Sequence, residues 1–124
     1  MAQVDKDAER EHRISMEIVV DAYGPEEQAM GWYYYLEDRM QCPFSAVCVT
    51  KRRISPLKEG ATVQVIGMAP EEECEKEMFV DIDYEGDTLA VPLMQLEAIA
   101  DVDAETQQAI SDWHYWVNRG YQLC

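Results

Sequence analysis

Basic residues are scarce in this sequence. The 124 residues include 10 lysines and arginines against 25 aspartates and glutamates, which gives a formal net charge of −15. A field of that sign repels phosphate groups, so we expect no direct binding to nucleic acid or to anionic membranes. It attracts cations and basic protein surfaces instead. Hydrophobic residues make up 48% of the chain, which is too many for a disordered acidic tail and indicates a folded protein.

Long apolar runs and paired cysteines are also missing. No run approaches the roughly 18–20 residues that a membrane-spanning helix needs, and the charged segment 1–14 lacks the apolar stretch of a signal peptide. The cysteines at 42, 48, 74 and 124 show neither CxxC pairs nor zinc-ligand spacing. We therefore expect free thiols and a cytoplasmic location.

The length suits one domain. We expect residues 1–15 to form a flexible charged tail and residues 16–124 to form a single α+β domain. The apolar pattern predicts a first strand at Met16–Asp21, a helix at Pro25–Met40, and a second helix that begins near Asp103 and ends before Gly120. Further strands are predicted within residues 44–52, 61–68, 78–84 and 88–92. This order predicts an α+β fold in which two helices flank a small curled antiparallel sheet, either open or closed into an SH3-like barrel.

The densest charge lies between Glu71 and Asp87, where nine carboxylates accompany one cation, Lys76. Neighbouring carboxylates repel one another and raise one another's pKa. A divalent cation is the smallest group that could offset this repulsion, whereas a solvated acidic loop is the simpler interpretation.

Part of this stretch matches the start of an EF-hand loop. Asp81, Asp83 and Glu85 occupy the first, third and fifth positions, and Gly86 the sixth. The twelfth position, which requires a bidentate glutamate, is Pro92, and both flanks have the alternation of strands. The segment is therefore interpreted as a β-hairpin turn.

A calcium site must then be assembled from separate parts of the chain. Asp38 faces away from the apolar stripe of the first helix, in its last turn, where the helix dipole disfavours carboxylates by roughly 0.3–1 kcal/mol. The loop Glu71–Glu77 supplies carboxylates in quantity, while Asp81 and Asp83 could serve the same site or a second one. Oxygen donors favour a hard cation, calcium ahead of magnesium or manganese. The predicted metal ligands are Asp38, Glu71, Glu72, Glu73, Glu75, Glu77, Asp81 and Asp83.

Two side chains could suggest an enzyme instead. His114 lies among aromatic residues and is interpreted as a packing residue, and the carboxylates around Cys74 should raise the pKa of its thiol and suppress reactivity. Since no nucleophile elbow, phosphate loop or acid–base pair is present, we predict that the protein is not an enzyme. A hydrolase or redox enzyme that uses His114 or Cys74 is one rival. An acidic interaction module that binds basic proteins, as a DNA mimic does, is the other.

Four segments, at 54–58, 68–75, 90–93 and 112–116, carry a resemblance to a known family. Over about Met16 to Tyr121 the chain resembles the cyanobacterial calcium-binding protein family, which is linked to calcium sequestration in heterocyst differentiation. The resemblance implies a cytoplasmic calcium buffer or sensor without an EF-hand, with a protease or regulatory protein as a further partner. It also implies that Asp38 is important for binding.

Overall fold

The computed structural model of the protein describes residues 7–20 and 22–121. Within them the regular elements are α1 (Ala8–Arg13), α2 (Pro25–Arg39), β1 (Phe44–Cys48), β2 (Thr62–Met68), β3 (Phe79–Tyr84), β4 (Asp87–Pro92), β5 (Leu96–Ala98) and α3 (Ala104–Asn118), with a π-helical turn at Ile14–Ile18 and 3₁₀ turns at Glu71–Cys74 and Leu93–Gln95. None of the helices in these ranges has the length and apolar character needed to cross a bilayer.

The five strands form one antiparallel sheet in the order β4-β3-β2-β1-β5. This confirms the predicted α+β fold with a small antiparallel sheet. Of the two alternatives, the sheet is open: β4 and β5 lie at opposite edges and pair only with β3 and β1 in the described part of the chain.

β3 and β4 form the hairpin that the sequence predicted. Glu85 and Gly86 connect the strands with φ values of 51° and 86°. Positive φ at both central residues is the geometry of a type I′ turn, which matches the twist of antiparallel strands. The EF-hand-like segment from Asp81 onward is thus strand and turn.

The core lies between α2, α3 and one face of the sheet. Trp32 is fully buried, and its ring centroid lies 5.1 Å from that of Trp113 and 5.6 Å from that of Trp116. α2 begins with Pro25 at its first turn, where proline fixes a helical φ and no backbone donor is lost. The apolar stripe of α2 is buried at Ala29, Trp32, Tyr33 and Leu36, and so is Met40, which caps the helix.

The strand predicted at Met16–Asp21 is wrong. The chain forms the π-helical turn Ile14–Ile18 there, and Asp21 lies outside the described residues. Ile14 and Ile18, four residues apart on one side of the turn, are each only 4% exposed. The β-branched residues therefore pack as a helical stripe, and this tertiary burial outweighs their preference for strands.

A buried carboxylate fastens this N-terminal segment to the rest of the fold. Asp112 of α3 is fully buried and accepts two hydrogen bonds from Arg13, at 2.7 and 2.9 Å, and one from Arg10 at 3.0 Å. The Tyr35 hydroxyl donates a further bond at 2.9 Å. This bidentate pairing raises the pKa of Arg13. The division into a tail of residues 1–15 and a domain of 16–124 stays a prediction, and residues 1–6 lie outside the described ranges.

Candidate metal site

The acidic segment, residues 70–78, connects β2 to β3 and is anchored at its base. The amide of Ala69 donates to the carbonyl of Phe79 at 3.1 Å, and the Tyr33 hydroxyl of α2 donates to the carbonyl of Ala69 at 2.9 Å. Cys74 points inward, is fully buried and contacts the backbone of Phe79 through its sulfur. Because this side chain faces the core, its acidic neighbours are directed outward.

Three predicted ligands share one cavity. Glu71, Glu72 and Glu75 line a space of about 500 Å³ between the acidic segment and the start of α2. Glu26 of α2 adds a fourth carboxylate, and Lys76 is the one cation in the lining. The segment therefore concentrates negative charge against the start of α2.

Glu73 and Asp81 do not line this cavity but lie near Cys74. Burial, together with the smaller effect of the charges of Glu73, Asp81 and Glu71, raises the pKa of the Cys74 thiol to about 11. The predicted direction of this shift is confirmed, although burial is the larger cause. Burial and the charge of Glu73 also raise the pKa of Asp81. The carboxylates of Glu73, Asp81 and Glu71 thus lie close enough to Cys74 to act on its thiol.

Two predicted ligands lie apart from these groups. Glu77 is ion-paired with Arg52, so it could coordinate a metal only after leaving that partner. Asp83 is exposed on β3, where Gln64 and Thr88 are its neighbours on the adjacent strands.

Asp38 occupies the last turn of α2, and its side chain is 83% exposed. It lines a second, open cavity of about 730 Å³ together with Glu17 and Glu37. The guanidinium of Arg39 also lines this cavity, and its Nε lies 3.8 Å from Oδ2 of Asp38. Asp38 and the acidic segment therefore face different cavities.

Tyr34 connects the two regions. Its side chain lines the Asp38 cavity, and its hydroxyl donates to Oε1 of Glu71 at 2.5 Å. The bond to Glu71 raises the pKa of Tyr34, and the charge of Glu37 adds to the shift. The end of α2 and the acidic segment thus meet at one tyrosine.

The described residues contain no group of three or more His, Cys, Asp or Glu side chains already arranged to hold a metal ion. The chemistry of the donors nevertheless fits calcium, which takes six to eight oxygens in flexible geometry. The exposed carboxylates of Glu71, Glu72, Glu73 and Glu75 supply hard oxygen donors on one short segment. Coordination by these residues requires their side chains to converge.

Sequence reasoning missed several residues that line these cavities. Glu17 was assigned to a strand, and the i, i+4 spacing of Ile14 and Ile18 was the signal that could have placed it on a helix. Glu26 was not among the predicted ligands. Tyr34 was not predicted to contact the acidic segment.

His114 packs against the backbone at Leu93. It is half-buried, and its Nε2 lies 3.2 Å from the carbonyl oxygen of Leu93. Burial lowers its pKa. These contacts agree with the packing role that the sequence predicted.

The fold and the site together define a small acidic α+β protein whose carboxylates gather at one helix end and one loop. Residues 12–117 match the family Calci_bind_CcbP, which is described as calcium binding. The chain belongs to this calcium-binding protein family, as its resemblance indicated.

Two solved structures share the fold. The crystal structure of Anabaena CcbP is 51% identical and superposes with a TM-score of 0.85, and the alignment covers 98% of each chain. A structure described as a calcium-binding protein in the calcium-binding form is 50% identical, with a TM-score of 0.84 and the same coverage of both chains. A search of curated proteins gave no match.

Proposed function

We propose that the protein binds Ca²⁺ at a discontinuous acidic site where the acidic segment closes on the end of α2. The observation that carries this proposal is Tyr34, which lines the Asp38 cavity and donates to Glu71. Membership of a calcium-binding family supports the choice of cation, as does the neighbour described as being in the calcium-binding form.

The proposed ligands differ in how readily they can contribute. Asp38 and the carboxylates of Glu71, Glu72, Glu73 and Glu75 are exposed and form the main set. Asp81 and Asp83, on β3, are candidates for the same site or a second one. Glu77 is the costliest ligand, because it must first leave Arg52.

The coupling between binding and stability follows from charge. In the metal-free protein the carboxylates repel one another across the acidic segment, which weakens the folded state. Bound calcium supplies two positive charges that offset this repulsion. A ligand that binds only the folded protein increases the free energy of unfolding, and this increase grows with the ligand concentration.

The role that fits this chemistry is a cytoplasmic calcium buffer or sensor without an EF-hand and without catalytic activity. An affinity of about 10⁻⁷ to 10⁻⁵ M would suit a sensor. The resemblance to a family linked with calcium sequestration and heterocyst differentiation supports this role. A protease or regulatory protein that acts on the calcium-bound or metal-free form is part of the same proposal.

Isothermal titration calorimetry at physiological salt tests the proposal. We expect saturable calcium heat below millimolar concentration, and Asp38→Asn should weaken binding by at least about tenfold, or roughly 1.4 kcal/mol. Asp101→Asn, in an exposed turn, is the charge-matched control and should stay close to the wild type. The absence of saturable heat would refute calcium binding, and an unchanged affinity in Asp38→Asn would refute this site.

A second candidate function is binding of a basic protein. Val20 and Tyr23 are 49% and 87% exposed, and Val20 lines a cavity with Glu26 and Glu27 at the start of α2. Apolar side chains rimmed by charge are typical of docking surfaces. Salt-sensitive binding to a basic partner without a metal requirement would favour this function. A charge-reversal at Glu26 should then weaken partner binding, while Asp38→Asn should weaken only calcium binding.

A further inference from the structure

Arg39 lies between two carboxylates at the end of α2. Its Nη2 donates to Oε1 of Glu17 at 3.1 Å, while its Nε lies 3.8 Å from Oδ2 of Asp38. The guanidinium also stacks over the ring of Tyr35, 5.1 Å from the centroid. The shorter contact to Glu17 and the ring below it orient this cation, so Glu17 determines how closely it approaches Asp38.

Glu17 is held in place by the way its turn packs on α2. The carbonyl of Ile18 rests on Gly31, where an added Cβ would lie only 2.2 Å from that oxygen. Ile18 itself is buried. Because only glycine permits this close approach, the position of Glu17 opposite Arg39 is built into the helix packing.

We propose that Arg39 is an internal counter-cation of Asp38 and that Glu17, by pairing with Arg39, sets the calcium affinity of the Asp38 site. This inference rests on the proposed function, since it concerns the same site. Arg39 and Glu17 are positioning residues here: neither touches the metal. The strength of the Arg39–Glu17 pair, relative to the Arg39–Asp38 contact, determines how strongly Asp38 can attract a cation.

Electrostatics gives the sign of each effect. A guanidinium beside Asp38 repels an incoming cation and attracts the carboxylate that should bind it. Glu17 withdraws part of that positive charge into its own ion pair. Removing Arg39 should therefore tighten calcium binding, and removing Glu17 should weaken it by releasing Arg39 toward Asp38.

A double-mutant cycle measured by calcium calorimetry tests this arrangement. We expect Arg39→Gln to tighten binding by about three- to tenfold and Glu17→Gln to weaken it by about three- to fivefold, the scale of partly exposed charge contacts. Arg39→Lys keeps the charge and should bind nearly as the wild type does. In the Arg39→Gln background, Glu17→Gln should change the affinity by less than about twofold.

Two charge-matched substitutions remove the effect of net charge alone. Arg53 and Glu59 are exposed and lie outside the Asp38 cavity. The calcium affinity of Arg39→Gln is compared with that of Arg53→Gln, and the affinity of Glu17→Gln with that of Glu59→Gln. The proposal is overturned if Arg39→Gln binds no more tightly than Arg53→Gln. It is also overturned if Glu17→Gln weakens binding equally in both backgrounds, because Glu17 would then be a ligand itself.

A measurement on the metal-free protein is independent of calcium. The Nη2 protons of Arg39, which donate to Glu17, should exchange slowly with water in ¹⁵N NMR spectra of the wild type and faster in Glu17→Gln, because this hydrogen bond is lost. An unchanged exchange rate would overturn the proposed role of Glu17. If the wild type did not bind calcium, the proposed function would be refuted, but the exchange rate in the metal-free protein could still be measured. Failure of the proposed function can therefore be distinguished from failure of the role proposed for Glu17.

Discussion

At the scale of single residues, burial separates the structural carboxylates from those available to a ligand. Asp112 is fully buried, and two arginines and a tyrosine hydroxyl satisfy its oxygens. Asp38 is 83% exposed and faces an open cavity. One aspartate therefore stabilises the fold, while the other remains accessible to a cation.

Replacing Asp112 tests its structural role. Asp112→Asn removes the charge that compensates Arg13 and Arg10, so we expect the free energy of unfolding to fall by about 3–5 kcal/mol. Urea unfolding measures the change. Asp101→Asn, at an exposed position, should change it by less than about 0.5 kcal/mol. A loss below about 1 kcal/mol for Asp112→Asn would show that the arginines find other partners.

The ionisation of Asp81 makes the stability of the metal-free protein depend on pH, and the surroundings of Asp81 give the sign of this dependence. Burial and the nearby charge of Glu73 raise its pKa above the ordinary value of 3.8. Because the folded protein then binds this proton more tightly than the unfolded chain does, the contribution to stability is complete below about pH 3.8 and is lost as the pH rises through the raised pKa. Ionised Asp81 thus weakens the metal-free fold at neutral pH.

The variant Asp81→Asn cannot ionise and should be more stable than the wild type at pH 7, in the presence of a chelator. The difference should shrink as the pH is lowered toward 3.8 and can be followed by urea unfolding over that range. Asp83→Asn, at an exposed position of the same strand, is the matched control. A destabilised Asp81→Asn protein at pH 7 would contradict the assigned cause.

At the scale of elements, the packing of α2 explains why the N-terminal segment is helical. The face of α2 opposite its apolar stripe contains Gly31, which accommodates the backbone of Ile18. A face that the helical periodicity assigns to solvent is therefore partly covered. This contact brings Glu17 to the cavity of Asp38.

Substitution of Gly31 tests this packing. Gly31→Ala places a Cβ against the carbonyl of Ile18, so the π-helical turn must move, and we expect a loss of about 1–3 kcal/mol in the free energy of unfolding. Gly67→Ala is the control, because an added Cβ there meets nothing within 4 Å. Thermal unfolding compares the two. Equal stability of both variants would mean that the turn shifts without cost.

At the scale of the whole molecule, net charge dominates. With a formal charge of −15, self-repulsion weakens the compact state of the metal-free protein. Salt screens this repulsion, since the Debye length falls from about 30 Å at about 0.01 M to about 8 Å at about 0.15 M ionic strength.

We therefore expect the melting temperature of the metal-free protein to rise by about 3–6 °C over this range of sodium chloride, the shift for roughly 1 kcal/mol. Submillimolar calcium should raise it further than sodium chloride of equal ionic strength does, because site binding adds to screening. Differential scanning calorimetry measures both effects. Magnesium at equal concentration is the control for divalent screening, and an equal shift would argue against a calcium site.

The elements with strong periodic patterns were predictable from sequence. The stripe of α2 and the turn at Glu85 and Gly86 follow from local rules, because apolar spacing and positive φ are properties of neighbouring residues. The openness of the sheet was not predictable, since it depends on whether distant edge strands meet. For the site, the density of acidic residues identified the segment from Glu71, but not its partners.

The sequence by itself determined the acidic character, the α+β class, the hairpin at Asp81–Asp87 and the family resemblance, because each depends on composition or on residues close together in the chain. Only the tertiary structure decided which carboxylates face which cavity. It placed Tyr34 between Asp38 and Glu71, paired Glu77 with Arg52, and brought Glu17 to Arg39. The physical reason is that burying apolar side chains fixes the directions of the helices and strands, and the charged side chains then occupy whatever neighbourhoods that packing leaves.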